Sequence, residues 1–186
     1  MTAARARTTY LVASSLDGFI ADDNDNLDWL LTMPGGDDAA NPYGAFIAGI
    51  GAIAMGATTY EWVLEHDSGP WPYTQPTWVF THRDLPVRGG GGPLTFTQAD
   101  VRAVHQQMSE AAGGKGIWLV GGGELVGQFL DAGLLDELVV SVTPVTLGSG
   151  APLLPRRHTE PMRLLSATPS PAGTFVHLHY AVRDGA

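Results

Sequence analysis

The chain has 186 residues, 44% of them hydrophobic and 16% charged, which suits one folded domain that buries about two-thirds of its unfolded surface. Its net charge of −9 is wrong for sequence-independent nucleic-acid binding, which needs a basic face to displace counterions, yet it leaves room for an anionic small ligand. With no cysteine, disulfides, thiolate metal sites and a cysteine nucleophile are excluded.

No apolar run approaches the ~20 residues that span a bilayer. Met1 to Thr8 carries Arg5 and Arg7 and leads into a strand-like segment without a cleavage pattern, so a cytoplasmic protein away from membranes is expected. Thr8 to Ser14 is β-branched and apolar and reads as a buried strand. The run Asp22-Asp-Asn-Asp-Asn26 lacks the glycine and glutamate of a calcium loop, and a turn explains it better. Asp37 and Asp38 precede a helical stretch to about Gly49, placed to cap it.

Ala52 to Met55 is a short strand, followed by Gly56-Ala-Thr-Thr-Tyr-Glu-Trp62. Thr58 with Glu61 forms a capping box, so a helix is expected to start there and run to about His66. Ser68 to Pro76 is loop, and Thr77 to Thr81 is a strand with His82 and Arg83 just past its end. Gly89 to Gly92 reads as a flexible turn, since no helix follows it. Leu94 to Phe96 is a brief strand, and Thr97 with Asp100 opens a helix to about Ala112, closed by Gly113 and Gly114.

Ile117 to Val120 is a buried strand that runs through Gly121, Gly122 and Gly123 into a helix from about Glu124 to Ala132. The glycines are not a full G-x-G-x-x-G, because Val126 holds the last position, and no P-loop lysine is present. Taken alone they are either a tight strand–helix turn or a phosphate site at a helix N-terminus. Glu137 to Val145, Met162 to Thr168 and Thr174 to Val182 are three further strands, the last two a hairpin.

Strand–helix units followed by strands predict an α/β fold, a mainly parallel sheet with flanking helices and antiparallel strands at one edge. Three strand ends carry ligand-suitable residues, at Gly56, at Thr81 to Arg83 and at Gly121, and such ends are where open α/β sheets bind ligands. There is no G-x-S-x-G elbow, and His177 and His179 share a strand face without an apparent third metal ligand, so no metal site is assigned. A reaction carried by a cofactor is the better expectation.

Several stretches match a family in order along nearly the whole chain. They are Ser15-Leu-Asp-Gly-Phe-Ile-Ala21, Met55-Gly-Ala-Thr-Thr-Tyr-Glu61, Val79-Phe-Thr-His-Arg83, Val120-Gly-Gly-Gly-Glu-Leu125, Leu135-Asp-Glu-Leu138 and Leu147-Gly-Ser-Gly-Ala-Pro-Leu-Leu154. The chain resembles the dihydrofolate reductase superfamily, above all the C-terminal reductase domain of the bifunctional riboflavin-biosynthesis deaminase/reductase. The resemblance implies one domain over residues 1–186, a dihydrofolate reductase-like eight-stranded sheet, NADPH as hydride donor and a homodimer.

Carried over by position, Ala13 and Ile20 would flank the nicotinamide, and Gly56, Ala57 and Thr58 would meet the pyrophosphate and adenosine side. Thr81, His82 and Arg83 would lie at the 2′-phosphate, and Gly121, Gly122, Gly123, Glu124 and Leu125 would cradle the pyrophosphate. Ala57 stands where the family often has arginine, which removes one charged phosphate contact. The catalytic carboxylate aligns loosely with Asp37 or Asp38; Asp38 is the candidate, with a plain helix cap as the alternative, and Asp17 is a loop-fixing candidate. Trp29, Trp71 and Tyr73 are candidate substrate walls, or else core aromatics beneath a loop.

The expected function is therefore NADPH-dependent reduction of a C=N or C=O in a small, pterin- or pyrimidine-like heterocycle. The alternatives are a nucleotide-binding protein without turnover and a ribosylamino-pyrimidine reductase, the latter weakened because no deaminase domain accompanies this sequence.

Overall fold

The computed structural model describes residues 5–34 and 43–183. Six parallel strands and one antiparallel hairpin dominate. The parallel set is β1 (Thr8–Ser14), β3 (Ile50–Gly56), β4 (Thr77–Phe80), β5 (Leu94–Thr97), β6 (Gly116–Gly121) and, on the far side of β1, β7 (Glu137–Val142). The hairpin is β9 (Arg163–Pro169) with β10 (Val176–Ala181), and β10 pairs antiparallel with β7. The sheet order is β5-β4-β3-β6-β1-β7-β10-β9, so the expected eight-stranded, mainly parallel sheet with an antiparallel edge is present. Two further short strands, β2 (Phe19–Ala21) and β8 (Ala151–Pro152), pair with each other outside the main sheet.

Alternation along the strands assigns each face its own core. Tyr10, Ala52, Ala54, Ile117 and Leu119 point to one face, where α4 (Val101–Ala111) and α5 (Gly123–Asp131) bring Val104, Met108, Val126 and Phe129. Ile53, Met55, Val79 and Trp118 point to the other, under Tyr60 and Val63 of α3 (Ala57–His66). Phe129, Ile117 and Leu119 are fully buried, each contributing about 1.5–3 kcal/mol of burial. The remaining helices are short, α1 (Asp28–Leu31) and α2 (Tyr43–Ala48). Among the described residues, no helix is long and apolar enough to cross a membrane.

The helix starts differ from expectation in one consistent way. The capping box at Thr58 does not form: α3 starts at Ala57 with Gly56 as N-cap, and Glu61 pairs instead with Arg83. The helix springs directly from β3, leaving no turn in which Thr58 could stand outside it. α4 is capped by Asp100, whose carboxylate accepts from the Arg102 N–H at 2.8 Å, while Thr97 accepts from the Ala99 N–H at 3.0 Å. The Gly89 to Gly92 run is not a loose turn. A Cβ on Gly91 would lie 2.4 Å from the Trp71 carbonyl oxygen, and one on Gly92 2.4 Å from that of Thr74, so the run is pressed against the 71–75 backbone.

The Asp22 to Asn26 run is a side-chain-supported turn, with Asp22 Oδ1 accepting from the N–H groups of Asn24 at 2.8 Å and Asn26 at 2.9 Å. His177 and His179 do share a face, and each is satisfied by a neighbour on β7. His177 Nδ1 meets Ser141 Oγ at 2.8 Å, and His179 Nε2 meets Glu137 Oε2 at 3.1 Å.

Candidate active site

The C-terminal ends of β3, β4, β5 and β6 open into one groove of about 310 Å³. β3 delivers Gly56, Ala57, Thr58 and Thr59 to it; β4 delivers Phe80, Thr81 and His82; β6 and α5 deliver Gly122, Glu124, Leu125 and Gln128. Gly56 and the Gly121–Gly122 peptide, which is cis, are adjacent: a Cβ on Gly56 would lie 3.8 Å from both the Gly121 oxygen and the Gly122 nitrogen. Met55 pairs with Gly121 across the β3–β6 ladder, which is what brings the two glycine turns together.

Both turns feed helices whose N-caps are glycines, Gly56 for α3 and Gly122 for α5. Neither glycine supplies a capping oxygen, and first-turn residues of both helices line the groove, which puts their positive dipole ends beside it. That arrangement suits an extended anion such as a pyrophosphate. None of the described residues lining the groove is lysine or arginine. Backbone and hydroxyl groups are its chief donors.

Of the residues singled out from the sequence, Gly56, Ala57, Thr58, Thr81, His82, Gly122, Glu124 and Leu125 line this groove. Ile20, on β2, lies beside it, its Cδ1 4.0 Å from where a Cβ on Gly122 would stand. Ala13 is on β1, two strands from β3 and in register with Ser141 of β7. Gly121 adopts φ of 146°, a conformation that only glycine takes readily, and is the pivot of the turn. Gly123 has a packing reason instead: a Cβ there would lie 2.4 Å from the Pro152 carbonyl oxygen and 2.7 Å from that of Leu153. Arg83 is not among the lining residues; its guanidinium pairs with Glu61, and its side chain is 58% exposed.

Of the aromatic candidates, Trp71 is 2% exposed and lies in the core against Tyr60, with ring centroids 5.3 Å apart. Tyr73 packs edge-on against both Trp71 and Trp118, and burial raises its hydroxyl pKa. Both are core aromatics on the α3 face rather than walls of the groove. Trp29 is half-buried on α1, its indole N–H donating to the Asn26 carbonyl at 3.2 Å. Asp37 and Asp38 lie outside the described residues.

Asp17 fixes two loops together. Its carboxylate accepts from Ser15 Oγ at 2.6 Å, the Leu147 N–H at 3.1 Å and the Gly148 N–H at 2.7 Å, and these bonds, Ser15's first, hold its pKa below the usual value. Reading by motif missed Thr97, Gln98 and Ala99, which line the groove just past β5. The available signal was the same strand-end rule that found the other three. It was obscured because Thr97 reads equally well as the opening of α4.

A mainly parallel eight-stranded sheet, a last antiparallel hairpin and a groove over the parallel strand ends define a dihydrofolate reductase-like α/β protein. Within that class the chain belongs to the family of the RibD C-terminal domain, whose model matches residues 8–176. It is 34% identical over 175 residues to the uncharacterized protein YwjB of Bacillus subtilis (strain 168), covering 94% of this chain and 97% of that one. A solved structure provisionally named as a riboflavin biosynthesis protein, from Shewanella sp. PV-4, superposes with a TM-score of 0.80 at 25% identity, over 95% of this chain and 99% of the other. Dihydrofolate reductase from Enterococcus faecalis, complexed with NADP(H) and RAB-propyl, shares the fold with a TM-score of 0.66 at 15% identity, over 95% and 96% of the two chains.

Proposed function

We propose that the protein is an NADPH-dependent reductase of a small, pyrimidine- or pterin-like heterocycle. The observation that carries this reading is the meeting of two glycine-capped helix N-termini, α3 and α5, at one groove on the parallel strand ends. Their N–H groups suit the pyrophosphate of a dinucleotide, and Thr58, Thr81 and His82 extend the groove toward its adenosine side. Membership of the RibD C-terminal family supports a reductase, and the solved dihydrofolate reductase complex supports the cofactor.

Bound NADPH would supply hydride from its dihydronicotinamide C4. Ala13 and Ile20 are assigned to the two sides of the nicotinamide ring, which they would hold by apolar contact. The chain's own part is orientation, exclusion of water by the loop that Asp17 fastens, and delivery of a proton by a carboxylate or water. Asp38 remains the candidate carboxylate and Trp29 the candidate stacking residue at the substrate.

The homodimer expected from the family resemblance is part of the same proposal. β9 is the surface we assign to it, an edge strand exposed along its whole length with Leu164 and Leu165 outward. A monomeric mass by light scattering at micromolar concentration removes it.

The experiment for the reaction is fluorescence titration with NADPH, followed by NADPH oxidation against a panel of pterins, pyrimidines and quinones. Saturable binding with turnover on one class establishes the reductase. Tight binding without turnover on any compound favours a nucleotide-binding protein, and no binding removes both.

A further inference from the structure

Glu124 poses an electrostatic problem for the groove. It lines the groove from the first turn of α5, where a carboxylate itself interacts favourably with the helix end and so competes with any bound anion. Arg156, from the loop after β8, meets this carboxylate with both arms of its guanidinium. Its Nη1 donates to Glu124 Oε2 at 2.9 Å and its Nη2 to Oε1 at 2.6 Å, while Nε donates to Asp131 Oδ2 at 2.7 Å. The guanidinium lies flat along α5 because residue 127 is glycine: a Cβ there would be 2.7 Å from the Arg156 Cζ. The pairing also holds the Glu124 pKa below its ordinary value, chiefly through the Arg156 hydrogen bonds.

We propose that Arg156 is a positioning residue for nucleotide binding, which neutralises and holds aside the Glu124 carboxylate so that the α5 N-terminus can accept the cofactor pyrophosphate. This rests on the dinucleotide reading of the groove. The same loop places the Pro152 and Leu153 carbonyls over Gly123, and its Leu153 N–H donates to the Gly18 carbonyl at 2.9 Å beside β2. One strap thus sets both the geometry and the charge of the phosphate end. Without Arg156 the pair Glu124 and Asp131 would leave two uncompensated negative charges along α5.

The test is a double-mutant cycle on the full chain, read by NADPH and NADH titration together with thermal melting. Arg156→Ala should raise the Kd for NADPH and NADH alike, by about tenfold at low salt and by less at high salt, as a screened charge effect does. Glu124→Gln, which removes the competing charge from the groove, should lower the Kd for both nucleotides at low salt, by about two- to threefold. Combining Glu124→Gln with Arg156→Ala should bring the Kd back to within about threefold of Glu124→Gln alone, while any loss of melting temperature stays. Arg156→Gln, which keeps the stem over Gly127, serves if Arg156→Ala does not fold.

Unchanged affinity in Arg156→Ala and Arg156→Gln overturns the proposal. So does a loss that Glu124→Gln fails to relieve, because that is the signature of a strap acting through shape alone. If the wild-type chain binds neither nucleotide, the dinucleotide reading falls and this inference falls with it; wild-type binding with an unresponsive Arg156 removes only the inference.

Discussion

The Trp118 indole N–H donates to the Leu11 backbone carbonyl at 3.2 Å, across a gap where two neighbouring strands have stopped pairing. β1 and β6 are in register only from Thr8 with Ile117 to Tyr10 with Leu119, although β1 continues to Ser14. Carbonyl directions alternate along a strand, and Ser14 offers its oxygen to Thr143 on the β7 side, so Leu11 faces β6. The indole supplies the hydrogen bond that the missing ladder does not. Trp118→Phe keeps most of the apolar contact but orphans that carbonyl, and should destabilise the fold by about 1–3 kcal/mol in urea titration. A change well under 0.5 kcal/mol would show that the gap is otherwise satisfied.

Asp136 joins the two ends of the described chain. It is 1% exposed, and its carboxylate takes the Thr8 N–H at 2.8 Å, Arg183 at 2.8 Å and Arg5 in a shorter contact. Asp136→Ala leaves a buried N–H and two arginines without their acceptor, and a loss of about 3–5 kcal/mol is expected by equilibrium unfolding. The site lies at the end of β1 remote from the groove, so the NADPH affinity of the folded fraction should not move.

His105 makes stability depend on acid. It is 3% exposed, its Nε2 lies 2.8 Å from Thr8 Oγ1, and burial first and nearby Arg5 second push its pKa from 6.5 down to about 4. More than about one pH unit above 6.5 the ring is neutral in both states and contributes no pH dependence. As the pH falls from 6.5 to about 4 the unfolded chain takes up a proton that the folded chain refuses, so stability is lost across that window by up to about 3 kcal/mol and then levels off. In His105→Gln the slope of unfolding free energy against pH should be shallower there; an unchanged slope would assign the dependence to other groups.

Arg83 bears on cofactor choice. It is held by Glu61 at the mouth of β4, outside the residues that line the groove. If it turns to the 2′-phosphate, Arg83→Ala should weaken NADPH by about 1.5–3 kcal/mol and leave NADH nearly unchanged. Equal losses for the two nucleotides would remove that assignment.

Asp17 predicts a local effect. Asp17→Ala removes the acceptor for the Leu147 and Gly148 N–H groups. Amide exchange should then accelerate at residues 145–150 and 15–19 while the β3 amides stay protected. Uniform acceleration would mean a global loss of stability instead.

The sequence by itself determined the strand–helix alternation, the antiparallel hairpin and the strand ends that carry Gly56, Thr81 and Gly122. These are local properties: side-chain periodicity selects the element, and glycine selects a turn that other residues resist. Tertiary structure decided what those residues touch. Trp71 and Tyr73 read as pocket walls or core with equal ease, and only the packing of Tyr60 and Trp118 around them places them in the core. Glu124 and Arg156 stand 32 residues apart, and no spacing rule connects them. Gly123, one of three identical letters, is glycine because the Pro152 and Leu153 carbonyls press on it. Long-range contacts of this kind depend on the path of the whole chain, whereas propensity and pattern report only on a residue's near neighbours.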